Sequence, residues 1–353
     1  MKTIHVVASL FLISQSAVGA PFAIVDRASD VPSENALYTA LNHTADQIES
    51  TINSGFLSDS SRANLNTAVA KASSSPGSSL WVDRASNPKR LDVGAGVQAQ
   101  VNMTSLSLAA LSFSTNNSLP AIGGSATGTL TVGLNPSLFG VRSDRLFLYL
   151  NGMIVSQKVS NADVQSTSFG LNGQYRLITP KSLILVGWGG LTFATGINYS
   201  SSFIGVSSNL NVTQDTDVSG QTVTMNMNLS YQLGVRSTVI TVPLELSTNV
   251  SLLSLVTLFL GGGADINFGS ASLAGSASGP VSASYTGSIA GSNLFSGTGA
   301  LNLDDGNVAR PDLVVGRIFA GIQGSLWVLK ASASYTYITN QTHAIAALVR
   351  VAL

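Results

Sequence analysis

The chain has 353 residues and no cysteine, and its 17 basic and 17 acidic residues give a formal net charge of zero. Charged residues make up 10% of the sequence, well below the roughly 25% of soluble domains, whereas apolar residues make up 44%. The lack of cysteine excludes a disulfide-bonded scaffold, and the balanced charge gives no support for a nucleic-acid partner. So little charge suits a wall that faces lipid.

The N-terminus has the layout of a secretory signal peptide. Lys2 precedes an apolar run from Val6 to Ile13, and small residues follow. Cleavage before Ala20 is expected, so residues 1–19 are assigned to the signal peptide. This run is too short to cross a bilayer, and nowhere else does the sequence offer about 20 uninterrupted apolar residues. If the exported chain enters a membrane, it must form a closed barrel, because lipid leaves unpaired backbone groups unsatisfied.

Residues 20–80 are predicted to form a helical segment that precedes the rest of the fold. Residues 33–55 place apolar side chains on one helical face, and Gly55 can end that helix. A second helix is predicted at residues 59–72, because the Ser-rich residues 73–79 contain Pro and Gly and break the pattern. The segment can plug a lumen, line a periplasmic rim or join subunits, and a plain periplasmic arm is the simplest alternative.

The clearest pattern in the chain runs from residue 221 to residue 236. Apolar and uncharged polar residues alternate there, so a β-strand would carry hydrocarbon on one face and hydrogen-bonding groups on the other. Soluble strands usually have about 5–6 residues, whereas a tilted strand that crosses a bilayer needs roughly 9–11. The stretch therefore favours a membrane-crossing strand over a long strand of a secreted sandwich. Its apolar members are Val223, Met225, Met227, Leu229, Tyr231, Leu233 and Val235.

Residues 81–353 are predicted to form a transmembrane antiparallel β-barrel of about 12–16 strands, so the fold class is all-β with a short α-helical segment before the barrel. Alternating runs begin at Leu91 and continue to the C-terminus. Turn residues separate them, and Asn151-Gly152 and Gly261 to Gly263 are among the predicted turns. Representative runs are Val93 to Val101, Leu130 to Leu134, Phe169 to Leu177, Ile240 to Leu246 and Ile345 to Leu353.

Three segments are apolar at consecutive positions and depart from the alternation. They are residues 146–150, 183–186 and 252–260. A barrel strand of this kind needs apolar surroundings on both faces. The second face can meet another subunit, the N-terminal helices or lipid on an inner surface.

The charges that face a lumen determine the selectivity of a channel. Here charges are few, and Glu245 is the only glutamate after residue 49. For each charged residue alone, solvation at a strand end is the simpler explanation. A weakly selective polar channel, or no open channel, is therefore predicted. The candidate pore or rim charges are Arg142, Asp144, Arg145, Arg176, Lys181, Arg236 and Glu245.

The sequence gives little support for catalysis, and no cofactor or metal site is predicted. Residues 94–99 fit the dinucleotide-binding fingerprint by letters, but that fingerprint requires a strand-to-helix turn and these residues lie within an alternating strand. Without cysteine or a GxSxG motif, His343 beside Thr342 is the one candidate base for a hydrolase at a barrel rim. A polar turn explains His343 more simply, and the protein is predicted not to be an enzyme.

An exported, cysteine-free chain that ends in alternating strands resembles the outer-membrane porin-like β-barrels of Gram-negative bacteria. The N-terminal helices, the doubly apolar strands and the stretch Gly261 to Ser270, GGGADINFGS, also resemble the PopA-like lipid-trapping porins of predatory bacteria. This resemblance implies membrane lipid or lipopolysaccharide as a partner and a homo-oligomeric ring, a pentamer or a trimer, that encloses lipid. One departure is the terminal Leu353, where outer-membrane barrels commonly end in an aromatic residue.

The predicted function is passive permeation or membrane organisation by an oligomeric barrel in the Gram-negative outer membrane, with enclosed lipid as a sharper variant. Two other classes stay open. One is an outer-membrane hydrolase that uses His343, and the other is a secreted all-β adhesin or surface protein without lipid contact.

Overall fold

The computed structural model describes residues 59–75, 77–85, 91–102, 123–140, 145–159, 162–182, 185–218, 221–285, 293–304 and 308–352. The predicted signal peptide and the helix predicted at residues 33–55 lie outside these ranges. The second predicted helix is confirmed as α1 (Asp59–Ala72), which ends where the Ser-rich stretch begins.

The strands after α1 form one antiparallel sheet. A short 3₁₀ helix (Pro136–Phe139) links the second and third strands, and the Asn135 side chain accepts a hydrogen bond from the Ser137 amide at its start. In chain order the strands are β1 (Leu91–Asn102), β2 (Gly123–Leu134), β3 (Leu146–Val159), β4 (Ala162–Ile178), β5 (Lys181–Ser182), β6 (Val186–Val218), β7 (Gln221–Leu252), β8 (Val256–Tyr285), β9 (Asn293–Asp304), β10 (Val314–Leu326), β11 (Leu329–Ile338) and β12 (Thr342–Ala352).

Two pairings between strands that are not consecutive in the chain close the sheet into a ring. The last strand pairs with the first, with Val93 opposite Val351. β8 divides its pairing: its first half pairs with β10, with Gly262 opposite Ile318, and its second half pairs with β9. The closed ring therefore has ten strands, β1–β4, β6–β8 and β10–β12, while β5 and β9 pair outside it.

The predicted range of 12–16 strands is too high. β6, β7 and β8 have 33, 32 and 30 residues, so these three strands use the length that was assigned to several shorter ones. The predicted turns at Asn151-Gly152 and Gly261–Gly263 are also wrong, because both lie within continuous strands, β3 and β8. At Gly261 and Gly263 a Cβ would collide with carbonyl oxygens of β7, so these glycines serve close strand approach instead of a turn.

The strand faces have the polarity of a transmembrane barrel. In β1, Val97 is 61% exposed on the outer face, whereas Gln98 and Gln100 on the inner face are each 2% exposed. β12 repeats the arrangement with Ile345 exposed and Arg350 buried. An apolar exterior around a polar interior reverses the order of a soluble barrel and fits a bilayer. No helix within the described ranges is both long enough and apolar enough to cross a membrane.

The two ends of the ring differ. At the end that we call the terminal mouth, β1 begins and β12 ends. A three-residue turn (Leu253–Leu255) joins β7 to β8 there, and a two-residue turn (Trp327-Val328) joins β10 to β11. The opposite end, the distal mouth, holds the far ends of β1 and β12 and the start of β2. The chain between β1 and β2, residues 103–122, leaves and returns at the distal mouth.

Beyond the distal mouth, β6 to β9 continue as a projecting sheet. β4 stops pairing with β6 at Val206, but β6 remains paired with β7 as far as Val218 and Gln221. At about 3.3 Å per residue the projection reaches roughly 40 Å past that point. Residues 221–236 are confirmed as part of a long strand, β7. The prediction that they cross the bilayer as barrel wall is wrong for most of them, because the residues before Leu233 lie in this projection, outside the closed ring.

Two of the doubly apolar segments are explained by their inner faces. In residues 146–150, Phe147 and Tyr149 point inward and are buried, while Leu148 and Leu150 are exposed on the outside. In residues 252–260, Phe259 is the buried inward side chain. Both segments face non-helical residues before β1, namely Trp81, Val82 and Ala85, and not the N-terminal helices that were one of the predicted partners.

Candidate functional site

The lumen of the ring is occupied by the protein's own chain. Residues 66–75 and 77–85, which we call the luminal segment, comprise the end of α1 and the non-helical residues after it, and most of their side chains are fully buried. Side chains of β1–β4, β7, β8 and β10–β12 contact the segment, and Ala194 of β6 belongs to the apolar cluster around Trp81. Irregular backbone is tolerated at this depth because protein surrounds it on all sides.

The luminal segment runs from the distal mouth towards the terminal mouth. At the distal mouth, the Asn340 amide donates to the Lys71 carbonyl and the Ser125 hydroxyl donates to the Ala72 carbonyl at 2.9 Å. Gly123 also lies at the distal mouth. It packs so closely against the Ala68 carbonyl that a Cβ would not fit there. At the other end, the Asn249 amide of β7 donates to the Arg84 carbonyl at 3.0 Å, close to the terminal-mouth turn.

Wall side chains replace the backbone partners that the luminal segment lacks. Irregular buried carbonyls need donors, and hydroxyl and amide groups on the inner face provide them. The donors and acceptors are Gln100 to Ser75 at 2.8 Å, Thr131 to Leu80 at 3.3 Å, Asn151 to Trp81 at 3.2 Å and Gln174 to Asp83 at 2.9 Å. The contacts come from four different strands, so the segment is fixed from several sides.

Apolar side chains of the segment fit between these polar contacts. Trp81 and Val82 form one cluster with Phe147, Tyr149 and Ala194. Two smaller clusters place Leu80 against β12 and Ala85 against β8 and β10. The inward aromatic residues of β3 therefore line a socket for the segment, and they do not require lipid or another subunit.

Four buried charges connect the segment to three strands. The Arg84 guanidinium donates from Nε and Nη2 to the two carboxylate oxygens of Glu245, at 2.7 and 2.6 Å. Arg317 Nη2 lies 2.9 Å from Glu245, and Arg317 Nε lies 2.9 Å from Asp265, although these N–H groups are not aligned as hydrogen bonds. Ser75 donates to Asp265, so this ionic cluster of Arg84, Glu245, Asp265 and Arg317 holds the segment at Ser75 and at Arg84.

The ionic cluster also contacts an aromatic ring, and a second, smaller group of buried charges lies elsewhere in the lumen. The Arg84 guanidinium carbon lies 3.9 Å from the centre of the Phe319 ring, a cation–π distance. Nearer the terminal mouth, Arg350 Nη1 lies 2.9 Å from Asp92 and Arg350 Nη2 donates to the Leu80 carbonyl at 3.4 Å. Charges buried in this way are expensive to separate, because each lone charge would lose its partner in a dry site.

Little free volume remains where these groups meet. A cavity between the segment and β10–β12, next to Arg84, measures about 10 Å³, roughly the space of one water molecule. At the terminal mouth, a wider vestibule of about 340 Å³ lies beside Ala85, Asn249, Trp188 and Lys330. The vestibule therefore ends against the luminal segment.

The predicted pore charges fall into separate places. Glu245 faces the lumen and is buried, where it pairs with Arg84 and Arg317. Arg176 is half-buried at the end of β4, with its guanidinium 5.6 Å from the Phe147 ring. Arg145, Lys181 and Arg236 are exposed, and Arg142 and Asp144 lie outside the described residues. Their role in selectivity stays a prediction.

Sequence reasoning missed most of the ionic cluster. Asp265, Arg317 and Arg350 all occupy polar, inward positions of alternating strands, and a charge at such a position was the available signal. Arg84 lies in an irregular stretch, and no periodicity points to it.

The candidate hydrolase base lies on the other side of the wall. His343 is on the outward face of β12 at the distal mouth, and its Nδ1 is 2.6 Å from the hydroxyl of Tyr335. The Tyr337 ring is 5.3 Å away, so His343 belongs to an aromatic group of the kind found where barrel walls meet water. In the ranges that the structure covers, no three His, Cys, Asp or Glu side chains are grouped as metal ligands.

Solved barrels show only a distant likeness to this chain. The translocator domain of the autotransporter NalP from Neisseria meningitidis is 13% identical with a TM-score of 0.31, over 74% of this chain and 87% of that chain. Omp33 of Acinetobacter baumannii is 8% identical with a TM-score of 0.27, over 76% and 99%. A FadL homologue of Pseudomonas aeruginosa is 10% identical with a TM-score of 0.26, over 82% and 98%. Scores this low carry no argument about function.

The family comparison is more informative. No curated protein matches the chain. The profile of the family described as Lsa36-like matches residues 23–352, a range that includes α1, the luminal segment and the barrel. The narrower resemblance to the PopA-like porins is not supported. It relied in part on the doubly apolar segment in β3, whose inward residues face the protein's own chain. The chain belongs to the Lsa36-like family.

Proposed function

We propose that this protein is an outer-membrane barrel in which the luminal segment closes a polar permeation pathway. The observation that carries the proposal is the chemistry of the wall that faces the segment. That wall presents hydroxyl and amide side chains, such as Thr131, Asn151 and Gln174, which donate to the carbonyls of the segment.

Such a wall can exist without the segment. Water can replace each side-chain donor or acceptor, since exchange of one neutral hydrogen bond for another changes stability by only about 1 kcal/mol. An emptied lumen would therefore fill with water and resemble the polar interior of an open barrel. The closed state is favoured by the ionic cluster and by the apolar clusters around Leu80, Trp81 and Ala85, which water would not replace.

The proposed location follows from the surface of the barrel. An apolar exterior requires a membrane, and a predicted signal peptide with a barrel fold favours the outer membrane over the inner one. Ring formation, enclosed lipid and lipopolysaccharide contact remain predictions. Light scattering of the detergent-solubilised protein, with analysis of the lipid that copurifies, tests them.

The two alternative functions have less support. A secreted adhesin without lipid contact would expose to water the apolar exterior, for example Val97, Ile318 and Ile345. A hydrolase would need His343 beside a nucleophile, whereas its hydrogen bond goes to Tyr335. Loss of a measured hydrolase activity in a His343→Ala variant would favour the second alternative.

Tethering the segment tests the proposal directly. Ser79 Oγ and Thr336 Oγ1 lie 3.0 Å apart, on the segment and on β11. Since the native chain has no cysteine, a Ser79→Cys/Thr336→Cys pair would form one defined disulfide. In planar bilayers we expect the native protein to be closed with brief openings, the oxidised pair to lose these openings, and reduction to restore them. Ser79→Cys alone is the matched control.

Deletion of residues 59–85 provides the complementary measurement. The deleted barrel, once shown to be folded by its heat-dependent migration in electrophoresis, is expected to conduct ions steadily and with weak selectivity. A folded deletion variant that conducts no ions would contradict the proposal, as would steady current through the oxidised cysteine pair.

A further inference from the structure

We infer that the luminal segment enters the lumen from the cell exterior, so that Asn64 of α1 is exposed at the outer surface. The inference concerns the direction of the chain through the barrel. It does not depend on the permeation proposal, since it holds even if the luminal segment never moves.

Successive contacts with β1 and β12 show in which direction the luminal segment runs through the barrel. On β1, Gln100 lies nearer the distal mouth and bonds to Ser75, and Gln98, one inward position further along, bonds to Ser79. On β12, still nearer the terminal mouth, Arg350 bonds to Leu80. The chain therefore descends from α1 at the distal mouth to Ala85 at the terminal mouth, where β1 begins at Leu91.

The distal mouth has the properties of the outer side. Outer-membrane barrels have short turns at the periplasmic end and longer connections outside. Here the turns of three residues (Leu253–Leu255) and two residues (Trp327-Val328) lie at the terminal mouth, where the longest link is the 11 residues between β2 and β3. At the distal mouth, 20 residues separate the end of β1 from the start of β2, and the projecting sheet of β6–β9 extends beyond the ring. Exposed polar residues along that sheet, including Asn211, Thr222 and Asn228, suit contact with water.

Because the native chain has no cysteine, each single-cysteine variant carries one reactive thiol at a known position. Single variants Asn64→Cys in α1, Asn228→Cys in the projection and Ser254→Cys at the terminal mouth each replace an exposed polar residue. Intact cells and lysed cells would be treated with a membrane-impermeant maleimide, after electrophoresis with and without boiling has confirmed that each variant is folded. Asn228→Cys and Ser254→Cys are the matched controls for the two sides.

We expect Asn64→Cys and Asn228→Cys to react equally in intact and lysed cells, and Ser254→Cys to react only after lysis. Reaction of Asn64→Cys only after lysis, alongside Asn228→Cys that reacts in intact cells, would show that the chain enters from the periplasm. Protection of both asparagine variants with reaction of Ser254→Cys would reverse the orientation. Either result overturns the inference.

Discussion

The barrel wall and the luminal segment are ordered by different interactions. Wall strands satisfy their backbone groups through continuous antiparallel pairing, with registers such as Val93 opposite Val351. The luminal segment after α1 has no such ladder, and its carbonyls accept hydrogen bonds from wall side chains. The wall therefore contains its own hydrogen-bond partners, whereas the segment makes a few turn bonds of its own and finds many of its other partners on the wall. Variants that disturb the segment should leave the ring closed.

Removal of Glu245 is expected to have the largest effect, because this carboxylate belongs to both regions. Glu245→Ala would leave Arg84 and Arg317 buried with one carboxylate, Asp265, between them. Loss of one member of a buried ion pair typically costs about 3–5 kcal/mol. Urea unfolding of the refolded protein in detergent, followed by heat-dependent migration, measures the loss.

Two variants define what the charge contributes. Arg236→Ala, on the same strand but exposed, should change the urea midpoint little. A Glu245→Met/Arg84→Met pair removes both charges and should be less destabilised than Glu245→Ala. Equal losses for the single and the double variant would mean that the packing of the Glu245 side chain, and not its charge, holds the segment.

Trp81→Ala is expected to have the next largest effect, and it should affect the luminal segment but not the wall. Trp81 packs against Phe147, Tyr149 and Ala194 and has its own carbonyl bonded to Asn151. Removing a buried aromatic ring typically costs about 3–5 kcal/mol. The segment should loosen while the ring stays closed.

The readout for Trp81→Ala is the reactivity of a buried position on the segment. Ser78 is fully buried, so a Ser78→Cys reporter should react slowly with maleimide in an otherwise native protein and faster when Trp81→Ala is added. Heat-dependent migration should not change. If the ring opens together with the segment, the wall depends on its plug and the comparison between the two regions fails.

Much of the wall could be predicted from the sequence, and the luminal segment could not. Alternation is a local signal that the wall repeats in every strand, so the barrel, its polar interior and the strand at residues 221–236 were all accessible. The glycines at 152 and 261–263 gave false turns because close strand approach and turns favour the same residue. The predicted number of strands was wrong because chain length alone cannot distinguish one 33-residue strand from two shorter strands.

The segment has no periodicity to recognise. α1 was predicted, but the position of Arg84 opposite Glu245 depends on a sequence separation of 161 residues and on closure of the ring. The exposed charges Arg145, Lys181 and Arg236 look no different in the sequence from the buried Arg317 and Arg350. Only the phase of each charge within its strand carries that information, and it requires the strand boundaries.

The smallest expected effect concerns a single hydrogen-bond donor of the wall. Gln174→Leu keeps the side-chain size and removes the amide that donates to the Asp83 carbonyl and accepts from the Tyr149 hydroxyl. Both partners are buried and each loses a hydrogen bond, so the loss should be about 1–3 kcal/mol, the range for an unsatisfied buried group. Gln165→Leu, exposed on the same strand, controls for the change in β-propensity. A loss as large as that of Trp81→Ala would show that individual wall donors, and not the apolar and ionic clusters, keep the lumen closed.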